Sequence, residues 1–419
     1  MYSSFKFKYY DLVYLLLVFA LLNAPLRLSE NGMTSLFRIF SIIPFFLILV
    51  NNYKKYKNLL LIFTFAMVYS FFVSIIFYQH ISWDQNVFIL YDFVLLVLIL
   101  YLYIKDKNFD RHFFSFLNVV AMVTLIAAVM QYFIGYNVPY IETSIGQPVG
   151  VYLSNGNELS SALCCMFIIY IYLIIQKRQY KYLLHSFLIL FIAYINDAKL
   201  SLMGAVVAMA VLLVYRLNTD GFLRRLKSTS FLKIMVLSVV LIIVVLYLIN
   251  PSLKVRDYNI SLRELIFDAV FSILQGKELN VVGSIHDRTS AIIYGMRELK
   301  NTFFFGIGAG NSIVMLQMPQ YYLPYAKSMH NILFQFLAEF GFVAIVAYII
   351  LFRKIIDWFI SVKKSGIYLL KGAFCAGFIF ISSQSSVGIL SNYYTIIVLF
   401  YVFLLQNEDF STEKIKLRI

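Results

Sequence analysis

Charge is what this chain has least of. Asp, Glu, Lys and Arg make up 13% of its 419 residues, against 61% hydrophobic and 18% aromatic residues. A soluble domain carries about 25% charged and about 45–50% apolar residues. Cytosolic globular, disordered and collagen-like classes are therefore excluded. Cysteine is nearly as scarce. Cys164, Cys165 and Cys375 all fall inside apolar runs, which excludes a disulfide framework and reads as small buried hydrophobes. The five histidines (His80, His112, His185, His286, His330) are scattered, and HExxH, GxxxxGK[ST], paired CxxC and DxD patterns are absent. No metal site and no cofactor is expected. No small-residue cleavage site follows the first apolar run, so that run is expected to stay as a helix.

What is present is a series of apolar runs: 11–26, 36–50, 59–78, 87–104, 113–133, 158–175, 183–195, 200–215, 231–249, 331–351, 367–382 and 392–405. Twelve spans of about 20 residues fit comfortably in the chain. The fold class expected is all-α: a polytopic integral membrane protein of about 12 transmembrane helices. The formal charge of +14 invites a nucleic-acid reading, but its placement opposes that. Alternate gaps and the two tails hold 2, 3, 3, 3, 4, 4 and 3 Lys/Arg, while the short gaps on the other side hold only Arg27 and Lys199. Such asymmetry puts both termini in the cytoplasm and the basic face against anionic lipid. Arg38, Lys233 and Lys371 sit near span ends and are expected to snorkel.

One gap is long. Residues 250–330 form an extracytoplasmic loop with eight Lys/Arg, a length at which the charge rule no longer applies. The expected division is 1–249 (nine spans), 250–330 (the loop), 331–405 (three spans) and 406–419 (a cytoplasmic tail). Within the loop, Ser261-Leu262-Arg263-Glu264 is a capping box ahead of an amphipathic helix. A second helix, 287–300, carries Arg288 and Arg297 and runs into Gly306-Ile307-Gly308-Ala309-Gly310-Asn311. That GxGxG does not follow a strand, so its glycines are expected to give a tight backbone path near a substrate. Lys327-Ser328-Met329-His330-Asn331 then opens the tenth span, which includes Glu339. Histidine titrates near neutral pH and accepts a hydroxyl proton, and arginine forks bind phosphate oxygens. An ionisable residue inside a span is a functional candidate by default, and Glu339 is expected either to pair with a basic group or to orient the site.

These pieces together resemble the O-antigen ligase/polymerase superfamily. The strongest stretch, DRTSAIIYGMRELKNTFFFGIGAGNSI…KSMHNILFQFLAEFGFV (287–343), is similar to the family's Arg–helix–glycine turn followed by His-Asn and a Glu-x-Gly. GVYLSNGNELSSAL resembles the family's approach to the sixth span, with Gly156 where Pro is usual, and NDAKLSLMGA resembles its Ser-Arg helix head, with Lys199 for Arg. The resemblance implies a GT-C-like fold and metal-independent glycosyl transfer on the outer face of the inner membrane. Donor and acceptor would be undecaprenyl-diphosphate-linked oligosaccharides, with a chain-length regulator and a flippase as candidate partners. It assigns His330 as the base, Arg288 as the diphosphate holder and Lys199 as a second cationic contact. Glu339, Asn157 and Arg297 complete the expected substrate-binding set. Each has a plainer alternative: headgroup contact for Arg288, an ion pair with Asp197 for Lys199, a helix start for Asn157 and a solvated basic rim for Arg297. Polymerase is the leading reading, the ligase that moves glycan to lipid A-core the second, and a lipid-linked oligosaccharide flippase the third.

Overall fold

The structure is a computed structural model that describes residues 9–21, 36–135, 148–150, 156–219, 252–255, 258–261, 275, 284–321, 323, 329–362, 365–383 and 393–406. Fourteen helices stand among them. They are α1 (Tyr9–Leu21), α2 (Leu36–Asn51), α3 (Tyr53–Val73), α4 (Trp83–Lys105), α5 (Phe109–Ile134), α6 (Gly156–Lys177), α7 (Leu183–Ile195) and α8 (Lys199–Thr219). After them come α9 (Ser284–Asn301), α10 (Asn311–Leu316), α11 (Ile332–Phe340), α12 (Phe342–Ser361), α13 (Gly366–Ile381) and α14 (Tyr393–Leu404). A π-helical turn, Ser74–Tyr78, prolongs α3. Four stretches among the described residues are long and apolar enough to cross a membrane: Tyr53–Tyr78, Phe109–Ile134, Gly156–Lys177 and Lys199–Arg216. The ninth expected span, the helix expected after Ser261, and Lys233 lie outside the described residues.

The all-α expectation holds for the architecture, and beside the helices the described residues include one short hairpin. Ser252–Val255 (β1) and Tyr258–Ser261 (β2) form an antiparallel hairpin in which Leu253 faces Ile260 and Val255 faces Tyr258. Apolar residues alternate there with period two, the strand signature, and only two residues separate the strands, as in the tightest hairpins.

The chain divides into two compact units. The first comprises Met1–Val68, Trp83–Met209 and Ile355–Ile419, and the second Tyr69–Ser82 and Ala210–Lys354. In the first unit α6 is apolar on every side, so it can only be stable surrounded. Residues from Leu159 to Leu173 are buried without interruption, and α5, α7, α13 and α14 pack around them. Tyr170 donates to Asn118 at 2.9 Å, and its ring stacks on that of Tyr182 at 4.9 Å. At the α8–α13 crossing, Gly204 and Gly377 face each other, and a Cβ on Gly377 would sit 2.7 Å from the Gly204 carbonyl oxygen. Helices in lipid associate through such small-residue contacts because no hydrophobic force drives them together.

Two cations expected to snorkel do not. Arg38 is 3% exposed, with its guanidinium 5.2 Å from the Tyr91 ring and Asp92 within electrostatic reach. Lys371 is also buried, and its Nζ donates to the Phe403 carbonyl at 2.9 Å. A bundle with buried acceptors holds a cation inside more readily than isolated-helix reasoning allows.

Since a Cβ at Gly377 meets the Gly204 backbone as well as the Ile168 side chain, Gly377→Ala should destabilise by about 1–3 kcal/mol through overpacking. The readout is a lower thermal unfolding midpoint in detergent; an unchanged midpoint would contradict the crossing.

Candidate active site

The second unit is built on α9. Ala291, Ile293 and Tyr294 join Ile307, Met315, Leu316, Tyr321, Met329 and Ala338 in one apolar cluster, which packs α9 against α10 and α11. Gly295 is the point of closest approach: a Cβ there would overlap Met329 Cε and lie 3.3 Å from Ala338 Cβ. Arg288 stands seven residues earlier, about two turns along, and so shares that face of α9. It is half-buried, and among the described residues it makes no ion pair. Burial lowers its pKa, and no carboxylate among the described residues offsets this. A half-buried guanidinium without a described counter-ion has the chemistry to receive an anion.

The segment after α9 is an interlock of backbone. Ile307 N–H donates to Ala338 O at 3.0 Å, Gly308 N–H to Glu339 O at 2.9 Å, and Phe342 N–H to Phe304 O at 2.8 Å. Gly308 (φ 84°) has no room for a side chain, because a Cβ would overlap Ser74 Oγ and lie 2.9 Å from Ser70 O. Gly341 (φ 54°) is pressed equally hard onto the Phe304 and Phe305 backbone. The glycines were expected to bring backbone close to a substrate; what they accommodate is the protein's own chain. Gly341 also divides the expected tenth span into α11 and α12, since its φ cannot continue an α-helix.

Glu339 closes this interlock. Only 2% of it is exposed. Its carboxylate accepts from Ser312 Oγ at 2.5 Å and from Gln335 Nε2 at 3.1 Å, and the backbone N–H groups of Gly310 and Ser312 also reach it. All of these donors are uncharged. Asn311 pins the other side, donating to Ile307 O at 2.6 Å, Ser74 Oγ at 3.2 Å and His80 O at 3.1 Å.

Asn331 explains the His-Asn pair physically. It is the N-cap of α11, with its side chain accepting from Leu333 N at 3.0 Å and Phe334 N at 3.2 Å. His330 precedes the cap in the left-handed region (φ 51°), half-buried, and is thereby carried off the end of the helix. Histidine tolerates this conformation better than most side chains. Lys327 and Ser328 lie outside the described residues.

Arg297 is exposed, its guanidinium 5.7 Å from the Tyr294 ring and 5.9 Å from the Tyr321 ring. Tyr321 donates to Glu298 at 2.6 Å, and burial together with that carboxylate pushes its hydroxyl up to about 12.

Asn157 and Lys199 belong to the first unit. Asn157 is the second residue of α6 and half-buried. Lys199 Nζ lies 3.2 Å from Asp197, both side chains being well exposed, so the local ion pair considered from sequence is present. Pairs of this kind contribute about 0–1 kcal/mol. The residue joining these two motifs is Asn196, which donates to Pro148 O, Gly156 O and Ser160 Oγ at 3.0–3.2 Å. Gly156 is glycine because a Cβ would meet the Asn196 carboxamide at 2.8 Å. Gln131 clamps the same approach, accepting from Val149 N–H and Gly150 N–H at 2.8 and 2.9 Å. Sequence reasoning gave no role to Gln131, Asn196, Asn311, Ser312 or Gln335, although all but Gln131 lie inside the motifs it singled out, and Gln335 stands four residues before Glu339 on one helix face. Among the described residues no group of three or more His, Cys, Asp or Glu could hold a metal ion.

Comparison with known families agrees with the motifs. Residues 184–349 match the family model described as O-antigen ligase. This supports the O-antigen ligase/polymerase superfamily and, in general terms, that family's function in surface-glycan assembly. No curated protein matches the chain.

Asn331→Ala should cost about 1 kcal/mol of stability through loss of the cap, whereas Asn331→Asp, which still caps, should not. Equal melting of both variants would refute the cap. Gly308→Ala should be worse than either, because a φ of 84° strains any side chain and the added methyl also meets the Ser70 carbonyl.

Proposed function

We propose that this chain is a surface-polysaccharide polymerase that transfers an undecaprenyl-diphosphate-linked glycan to a sugar hydroxyl of another lipid-linked repeat unit. The observation that carries this reading is Arg288: a half-buried guanidinium without an ion pair among the described residues, on the α9 face that packs against Met329, the residue before His330 in sequence.

In this scheme His330 takes the proton of the acceptor hydroxyl while that oxygen attacks the anomeric carbon of the donor. The bond from that carbon to the diphosphate oxygen breaks, and undecaprenyl diphosphate departs with its electron pair. Arg288 meets the charge developing on the departing diphosphate; for Lys199, in the first unit, a second cationic contact rests on the family resemblance alone. An exposed ion pair as weak as that with Asp197 is easily exchanged for a diphosphate. Arg297 and Asn157 contact the glycan. Lipid diphosphate leaves readily once its charge is neutralised, so positioning, cationic stabilisation and one base suffice. Glu339 acts indirectly, holding the turn and α11 in register. The transfer takes place on the extracytoplasmic face of the bacterial inner membrane, opposite the lysine-rich side.

The family model's own description favours a second reading, ligation of finished glycan to lipid A-core. The two differ only in acceptor. The matched family lends no support to a flippase.

The test is a polysaccharide gel of cells deleted for the gene and complemented with variants. Surface glycan collapsed to a single repeat would support the polymerase. Loss of surface glycan with long polymer still on the carrier lipid would support the ligase. His330→Ala should fail to restore the ladder; a restored ladder would overturn the base assignment. Arg288→Lys should lower transfer by roughly 10- to 100-fold, as losing a charged hydrogen bond of about 1.5–3 kcal/mol implies.

A further inference from the structure

Phe303, Phe304 and Phe305 follow α9 directly and are 77%, 48% and 42% exposed. Three adjacent exposed phenylalanines are unusual, and two of them are held at positive φ, 52° and 65°. For a bulky residue that conformation is costly and persists only where the surroundings impose it.

The depth of this turn follows from helical counts. Tyr53–Tyr78 carries Lys54, Lys55 and Lys57 at one end, leaving 58–78 as an apolar stretch. At 1.5 Å per residue it is about 31 Å long, close to the ~30 Å of a bilayer core. Its far end therefore lies at the opposite boundary. Tyr69, nine residues before that end, lies about 13 Å inside it, and Ser74 about 6 Å inside it. The turn touches both levels: Tyr69 OH donates to Phe305 O at 2.7 Å, and Ala309 N–H donates to Ser70 Oγ at 2.8 Å. A second helix gives an independent count. α12 runs apolar from Phe342 to Phe352 and meets Arg353 and Lys354 on the lysine-rich side. Phe342 is therefore about 16 Å from that boundary, near mid-bilayer. Its ring packs at 5.6 Å on Tyr69 and at 5.7 Å on Phe305. The two counts agree.

Irregular backbone survives at that depth only if its polar groups are satisfied by protein. Here every backbone N–H from Phe303 to Asn311 has a partner. Phe303, Phe304 and Phe305 donate back to Lys300, Leu299 and Thr302 carbonyls, and Gly306 donates to Thr302 Oγ. Ile307 and Gly308 donate to the end of α11, Ala309 to Ser70, Gly310 to the Glu339 carboxylate and Asn311 to Gly308 O.

We propose that Phe303–Gly310 is a re-entrant turn seated in the bilayer leaflet opposite the lysine-rich side, with the phenylalanines packed among phospholipid acyl chains. The occupant follows from continuity: the exposed aromatic turn packs on a helix apolar enough to cross a membrane, which also exposes Phe72 (58%) and Ile76 (64%). Lys300 is exposed three residues earlier and long enough to reach headgroup phosphates. The turn thus fixes the depth of α9 and α11 by inserted rings rather than by a further span.

The full chain is reconstituted in phosphatidylcholine–phosphatidylglycerol vesicles with Phe303→Trp, its native Trp83 and Trp358 replaced by Phe. Lipids brominated on the acyl chain should quench this tryptophan several-fold more than a Gln320→Trp reporter on the same background, and iodide should quench it less. The reverse pattern would overturn the proposal. So would emission that ignores brominated phospholipid yet changes when polyprenyl diphosphate is added, since that marks a carrier-lipid groove. In a second variant that keeps the native tryptophans, Phe304→Cys should resist a membrane-impermeant maleimide that labels Gln320→Cys. Equal labelling would also overturn it.

Discussion

A buried carboxylate that must find hydrogen-bond donors is the constraint on which the second unit depends. An unsatisfied carboxylate inside a low-dielectric core costs several kcal/mol, and Glu339 is satisfied by groups from two separate places: Gly310 and Ser312 at the start of α10, and Gln335 one turn back on its own helix. Bringing those donors to one point forces the glycine turn against α11, ends α11 at Gly341 and turns the chain into α12. The hydrogen bonds of Ile307 and Gly308 to the last α11 carbonyls complete the same junction. With α11 fixed in this way, its capped N-terminus and His330 are fixed as well.

The reaction is thereby separated from the framework that holds it. Glu339 looks catalytic by position, as an acidic residue within a span, but its oxygens are occupied by the fold. Arg288 looks ordinary by position, yet it is the cation in this unit that burial discourages and no described carboxylate compensates. In the proposed reaction this division suits Arg288, which sits half-buried with no described counter-ion to compete with the diphosphate.

Much of this was legible in the sequence, and its limits are physical. The apolar runs, the lysine asymmetry, the Arg288 helix and the His-Asn pair depend on local pattern, and local pattern survives folding. The reason for the glycines did not show, because a glycine that makes room for Ser74 and one that makes room for a ligand look identical until the neighbour is known. The break at Gly341 was hidden for a similar cause: hydropathy runs unbroken through Phe340-Gly341-Phe342, and only φ reveals the turn. Arg38 and Lys371 were misjudged because snorkelling is a property of a lone helix, whereas Tyr91, Asp92 and the Phe403 carbonyl are supplied by the bundle. The hairpin at 252–261 was overlooked although its alternation was in view, since two four-residue strands are a faint signal beside twelve apolar runs.

The central claim is that His330 performs the proton transfer while the rest of the second unit positions and neutralises the diphosphate. The most direct measurement is single-turnover transfer by the purified, membrane-reconstituted chain, following both release of undecaprenyl diphosphate and binding of the lipid-linked donor. The account predicts that His330→Ala binds donor with unchanged affinity and releases no undecaprenyl diphosphate. Release at the rate of the unaltered protein would contradict it.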